Sequence, residues 1–183
     1  MRANSIDLSL TFETAVGHFL NEEGQYLLTE VSERSTCGRL AMYVERQIRA
    51  DGFTGYYADV EYNRKQNGEV KTIINENAKV IRITADLIVH SRGKFPNPRD
   101  NLIAVEVKKF NRPESEKNSD RSRLVAMTSD PNKNVWGWNG SHPEHVCGYS
   151  VGVFMEIDTS NKCVRLEFFK KGKFIDARIL AFS

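Results

Sequence analysis

Two runs rich in β-branched residues, KVIRITADLIVH at 79–90 and NLIAVEVKKF at 101–110, are separated by little more than the turn-forming stretch GKFPNPRDN. Strands this close in sequence, with Gly, Pro and Asn between them, are expected to pair antiparallel. YYADVEYN at 56–63 ends in the punctuating KQNGE and adds a third run, so the middle of the chain reads as an antiparallel meander. Side chains alternate along a strand, which puts Leu102, Ala104, Glu106 and Lys108 on one face and Ile103, Val105 and Val107 on the other. Asp86 projects with Ile88 rather than with Leu87 and Val89. Pairing of the two runs then directs two carboxylates, Asp86 and Glu106, to one place inside a sheet where apolar core is expected.

The remaining elements surround this meander. Residues 27–50 carry Cys37, Leu40, Ala41, Val44 and Ile48 at helical spacing and stop at Asp51-Gly52. A shorter helix is expected over 11–20, with Ala15, Val16, Phe19 and Leu20 on its apolar side. After the meander, the polar stretch NRPESEKNSD leads into a helix at 120–128, where Asp120 reads as its cap. Strands follow at 148–157 and, across the turn DTSNK, at 163–169. A strand that leaves through a helix and returns as a strand lies parallel in the same sheet. The expected class is therefore α/β, close to α+β: helix, three strands, helix, strand, plus a last hairpin strand, in a mixed sheet flanked by helices.

Length and composition set the frame. A chain of 183 residues suits one compact domain spanning 1–183, and 40% apolar with 27% charged residues is ordinary for a globular protein. The start, MRANSIDLSL, lacks a secretory leader's apolar stretch, and no segment has the apolar length of a membrane span; a cytoplasmic protein without membrane association is expected. Cys37, Cys147 and Cys163 are odd in number and widely spaced, which favours reduced thiols. The net charge of +2 does not announce a nucleic-acid ligand. Locally the balance shifts: between Lys108 and Arg123 six basic residues face three acidic ones, a pattern that fits either a phosphate contact or a solvated surface.

Two buried carboxylates repel, and burial itself opposes their ionisation unless a cation joins them. Mg²⁺ takes oxygen ligands, commonly one or two carboxylates with waters and phosphate oxygens, which is what Asp86 and Glu106 would offer. Lys108, on the same face, is placed to hold a phosphate oxygen or an attacking water. Glu33 precedes Cys37 by four residues and Leu40 by seven, so it falls on the core-facing stripe of its helix and needs a partner. The sheet face carrying Asp86 and Glu106 is the expected place for that helix to pack.

Asp86, a hairpin, then Glu106-Val107-Lys108 resembles the D...(D/E)xK signature of the PD-(D/E)xK nuclease superfamily, whose restriction-endonuclease-like core has the element order just described. SER at 32–34, RL at 39–40, EYNR at 61–64, ADLIVHSRG at 85–93 and IAVEVKK at 103–109 are similar to small stand-alone bacterial members of it. The resemblance implies that Asp86 and Glu106 bind Mg²⁺ or Mn²⁺ with the Val107 carbonyl as a further ligand, that Lys108 orients or activates the attacking water, and that Glu33 lies near the metal. It implies phosphodiester hydrolysis, with DNA favoured over RNA and a homodimer possible. Ala85 stands where the motif's name has proline, a position that shapes the strand and supplies no ligand.

Other residues admit two readings. Lys109, Arg121 and Arg123 either contact a phosphate backbone or face solvent. Glu61 pairs with Arg64 or supports the site. His142, His145 and Cys147, with Cys163, invite a zinc site, yet their spacing matches no standard one. His90 lines the cleft or is a satisfied structural histidine, and Trp136 and Trp138 stack on bases or close a core. A P-loop, a dinucleotide fingerprint and a Gly-x-Ser-x-Gly elbow are missing from the sequence, which leaves nucleotide hydrolysis and acyl transfer without support. The alternatives to a nuclease are a non-catalytic nucleic-acid- or protein-binding module, or a subunit active only in a larger complex.

Overall fold

The computed structural model describes residues 7–61, 72–74, 80–82, 85–96, 99–130 and 148–183. Trp136, Trp138, His142, His145, Cys147 and Arg64 lie outside them, and with them the zinc and stacking readings.

Helix α1 spans Leu8–Leu27 and α2 spans Glu33–Ala50. Both are longer or later than the spacing suggested, because Leu27 closes α1 and the chain turns at Glu30, whose φ is 56°. Ser32 then starts α2: its hydroxyl accepts the Ser35 N–H at 3.1 Å and satisfies a donor that the first turn leaves open. Strands β1 (Tyr57–Val60), β4 (Leu87–His90) and β5 (Asn101–Lys109) form the antiparallel meander. The expected run at 79–90 is divided. Its first part, β3 (Val80–Arg82), pairs with β2 (Thr72–Ile74) in a separate two-stranded sheet.

Helix α3 (Glu114–Thr128) carries the chain from β5 to β6 (Val151–Asp158), which pairs parallel to β5. Two antiparallel partners complete the sheet, β7 (Cys163–Lys170) and β8 (Lys173–Ala181). The result is a six-stranded mixed sheet in the order β1-β4-β5-β6-β7-β8, with α1 and α2 on one face and α3 on the other. Strand β8 was not anticipated. Lys171 and Gly172, with φ of 52° and 73°, form the two-residue turn that leads into it, a conformation for which glycine is suited.

The main core lies between the sheet and the α1–α2 pair, where Val105, Val107, Val153 and Met155 meet Phe12, Phe19, Leu40 and Val44. A smaller one, containing Ile88, Ala104, Leu124, Met127 and Phe154, lies under α3. This division follows the alternation of β5 except at Leu102, which joins the α1–α2 core. Leu102 is the extra residue where the β4–β5 register slips beside His90, and such a bulge turns a side chain to the opposite face. Among the described residues, no helix is long and apolar enough to cross a membrane.

Gly152 sets how closely α3 approaches. A Cβ there would stand 3.0 Å from Thr128 Cγ2 and 3.3 Å from Leu124 Cβ, so a larger residue would lift the helix off the sheet. Gly152→Val is expected to destabilise the fold by about 1–3 kcal/mol. A urea midpoint equal to that of the unaltered chain would show that α3 is not seated through this contact.

Candidate active site

In the β4–β5 ladder Leu87 pairs with Val105, so the next step sets Asp86 opposite Glu106. Asp86 precedes the first residue of β4, and its Oδ2 accepts the Val107 N–H at 2.8 Å. The carboxylate thus closes the end of the ladder. Glu61, at the end of β1, donates its backbone N–H to the Asp86 carbonyl at 3.1 Å, and its side chain pairs with Arg34. This bond braces the main chain that carries Asp86.

Glu106 lies on the face covered by α3 and is fully buried. Its Oε1 accepts from Arg123 Nε at 2.9 Å, while Oε2 is buried without a hydrogen-bond partner. Burial pushes the Glu106 carboxyl up to about 8, with the Arg123 hydrogen bond opposing and the Asp86 charge adding to the rise. Asp86 is raised too, again first by burial, against the Val107 N–H and the Lys108 charge. Two acids therefore share one poorly solvated place, and one of them holds its proton near neutral pH.

Lys108 is the positive centre of this group. Its Nζ lies 3.1 Å from Asp120 Oδ2, 3.8 Å from Glu33 Oε2 and 4.0 Å from Asp86 Oδ2. Burial works against the ammonium, but Asp86, Asp120 and Glu33 outweigh it and raise its pKa. Lys108 stays charged at neutral pH. It can hold an anion or orient a water, and it is not a base under those conditions.

Glu33 arrives by a different route from the expected one. Helix α2 packs on the face opposite Asp86 and Glu106, because its apolar stripe meets Val105 and Val107. As the first residue of α2, Glu33 instead reaches round the end of β5, where its Oε1 accepts from the Lys109 N–H and from Arg112 Nε, each at 3.1 Å. Its partner is the Lys108–Lys109 segment, approached from the strand end.

Asp120 is the site residue whose place the sequence reading missed. It is no cap: α3 begins at Glu114 after Pro113, so Asp120 falls in the second turn and is buried. There it pairs with Arg123 three residues on and holds Lys108. A start signal was present in Pro113 followed by Glu114 and Glu116, which puts Lys117, Asp120, Leu124 and Met127 on one buried stripe.

The other basic residues are engaged within the protein. Lys109 Nζ donates to the Glu30 carbonyl at 3.2 Å. Arg121 bonds Glu167 and Glu114 and lies over the Phe154 ring. His90 Nε2 lies 2.9 Å from Asp59 Oδ2, and Arg92 binds the same carboxylate, a structural cluster on the β1–β4 pair. Cys37 lies beneath the acids: burial, then Asp86, Glu106 and Glu33, raise its thiol and keep it protonated.

Among the described residues no three His, Cys, Asp or Glu side chains converge on a common metal position. Two carboxylates do face each other, one with an unpartnered buried oxygen, and the Val107 carbonyl is adjacent, 3.4 Å from Lys108 Nζ. This donor set fits a hard divalent ion that completes its shell with water and phosphate oxygens. No family model and no curated protein matches the chain, so its geometry has to speak for the site.

The raised Glu106 has a measurable consequence. An acid whose folded pKa exceeds its unfolded value contributes stability that is complete below the unfolded value, 4.5, and is lost as pH rises through about 8. Thermal stability of the metal-free protein should therefore fall between these limits, and Glu106→Gln should flatten the decline and exceed the unaltered protein at pH 9. A pH-independent melting temperature, or a variant less stable at pH 9, would contradict the burial argument.

Proposed function

We propose that the chain is a metal-dependent nuclease that hydrolyses phosphodiester bonds, acting as an endonuclease on DNA in preference to RNA, on a restriction-endonuclease-like fold of the PD-(D/E)xK superfamily. The observation that supports this reading most is the buried Oε2 of Glu106, which no donor reaches, across the ladder from Asp86, whose own carboxylate lies 4.0 Å from the Lys108 ammonium. Asp86, Glu106 and the Val107 carbonyl would hold Mg²⁺ or Mn²⁺, with Glu33 reaching it through Lys108 or water. Bound there, the ion would supply Lewis-acid polarisation of the scissile phosphate and ease deprotonation of the attacking water.

The protein's own groups perform the rest. Asp120 and Glu33 hold the Lys108 amine against the acids, so that a fixed positive charge faces the phosphate and steadies the charge developing on it. Arg123 neutralises one oxygen of Glu106 and leaves the other for the ion. Lys109, Arg121 and Arg123 would meet the nucleic-acid backbone only by exchanging protein carboxylates or carbonyls for phosphates. Free Cys37 and Cys163 are compatible with a reducing cytoplasm.

One observation favours a second reading, a non-catalytic binding module on the same fold. Lys108 and Arg123 already neutralise Asp120, Glu33 and one oxygen of Glu106 without any ion. Such a core would be a structural charge network.

The two readings part in solution. A nuclease cuts duplex, branched or single-stranded DNA with Mg²⁺ or Mn²⁺ and stops on chelation, and Asp86→Asn and Lys108→Ala each lower the rate by about 100-fold or more with an unchanged circular-dichroism spectrum. Absence of cleavage on every substrate with both metals favours the binding module, and cleavage by both variants at the rate of the unaltered chain would mean that the site is elsewhere.

A further inference from the structure

The cations around the candidate site are engaged by protein groups, so a polyanion reaching it needs positive charge from elsewhere. Among the described side chains every arginine except Arg99 pairs with a carboxylate. Lys94 likewise meets none of the described acids, and the two share one ring: Lys94 Nζ lies 5.6 Å and the Arg99 guanidinium carbon 5.9 Å from the centre of Phe95. Both residues are exposed. Like charges gathered without an acid between them repel, and an anion relieves that repulsion.

The connection from β4 to β5 that carries these charges is held in shape. Asp100 Oδ1 accepts the N–H groups of Ser91 at 3.1 Å and Gly93 at 2.9 Å, and also the Ser91 hydroxyl, whose oxygen accepts the Phe95 N–H at 3.0 Å. Tyr56 packs on Phe95 with ring centres 5.2 Å apart and donates its hydroxyl to the Arg99 carbonyl at 2.7 Å. Gly55, at φ 83°, leaves room for the Lys94 amine, since a Cβ there would stand 2.9 Å from Nζ. The two charges are therefore presented from a fixed support.

The rings say which part of a polyanion fits. Stacking of bases needs an open aromatic face. Here Lys94, Arg99 and Tyr56 surround Phe95, and the Arg92 guanidinium lies 4.2 Å from the centre of Tyr57, so the surface offers charge and contacts phosphates, not bases. Its place in the sheet sets the length of the ligand. Tyr57 and Asp59 pair with His90 and Ile88, which puts them and the Arg92 they hold on the face that carries Glu106. Asp86 and Arg92 flank opposite ends of β4, about 20 Å apart at the rise of an extended chain. A nucleic acid covering both would extend about six base pairs from one to the other.

From these observations we infer that Lys94 and Arg99 form a second contact for the backbone of duplex DNA, holding phosphates about six base pairs from the bond at the Asp86–Glu106 site. The choice of DNA rests on the nuclease reading; the place and character of the contact rest on the loop. The contact is independent of base sequence, and it supplies the positive charge that Lys109, Arg121 and Arg123 spend on protein partners.

Fluorescence anisotropy of a labelled duplex of about 20 base pairs, in chelator and between roughly 50 and 200 mM salt, tests this on the full chain. Lys94→Gln combined with Arg99→Gln should weaken binding about tenfold for unrelated sequences alike and lower the slope of log affinity against log salt by about two. Lys94→Arg combined with Arg99→Lys should retain the affinity, which separates lost charge from a disturbed loop. The same glutamine pair at Lys171 and Lys173, exposed at the turn before β8, should change neither quantity. Unchanged affinity and slope, an equal loss from the Lys171 and Lys173 pair, a loss confined to single strands, or tighter binding of polyglutamate than of duplex would overturn the inference. Cleavage is read separately with metal: a chain that binds duplex through Lys94 and Arg99 but cuts nothing loses the nuclease reading and keeps this one.

Discussion

The structure turns on one buried carboxylate. Glu106 occupies a central strand, fully enclosed, with one oxygen on Arg123 and the other reached by no donor, its carboxyl meeting that of Asp86. An arrangement of this kind opposes folding, because burial of an acid without full hydrogen bonding removes hydration that the protein only partly replaces. A leucine would fill the position at less cost. What surrounds Glu106 is a set of adjustments to its presence: Asp86 across the ladder, Lys108 two residues along the strand, and Asp120 and Arg123 delivered by a helix that Gly152 lets close.

These adjustments explain the division of labour between the sheet's two faces. The α1–α2 face is a continuous apolar core and supplies the burial that drives folding. The α3 face carries a smaller apolar cluster with the charged group at its edge. Glu33 links the two, since it begins a helix of the first face and reaches the end of the strand that carries Lys108. Lys108 is held between acids from α2, from α3 and from the residue before β4, which fixes a positive charge at a half-buried position. Such preorganisation serves an anionic substrate whether or not the chemistry is hydrolytic.

Much of this was legible in the sequence, for reasons tied to periodicity. Strand alternation put Asp86 with Ile88 and Glu106 with Ala104, and the ladder does set the two acids opposite each other. The parallel return of β6 through α3 followed from the handed, short connections that sheets allow. Three features were not legible. The packing side of α2 was misjudged because helical spacing gives a stripe but not the sheet face it meets, and Glu33, as the first helical residue, reaches round the strand end instead. Asp120 was read as a cap because charged residues at 114–121 hid a helix whose buried stripe includes Lys117 and Asp120. Strand β8 was overlooked because its side chains are mostly exposed, so its alternation carries little apolar contrast, although Lys171-Gly172 marks the turn before it.

The central claim, that the Glu106–Asp86 pair is built around a cation, is tested most directly by anomalous diffraction from crystals soaked in Mn²⁺. The account predicts a single strong peak between the Asp86 and Glu106 carboxylates, beside the Val107 carbonyl, with Glu106 Oε2 turned onto it. Strong scattering elsewhere with nothing between these two acids, and Oε2 still without a partner, would contradict it.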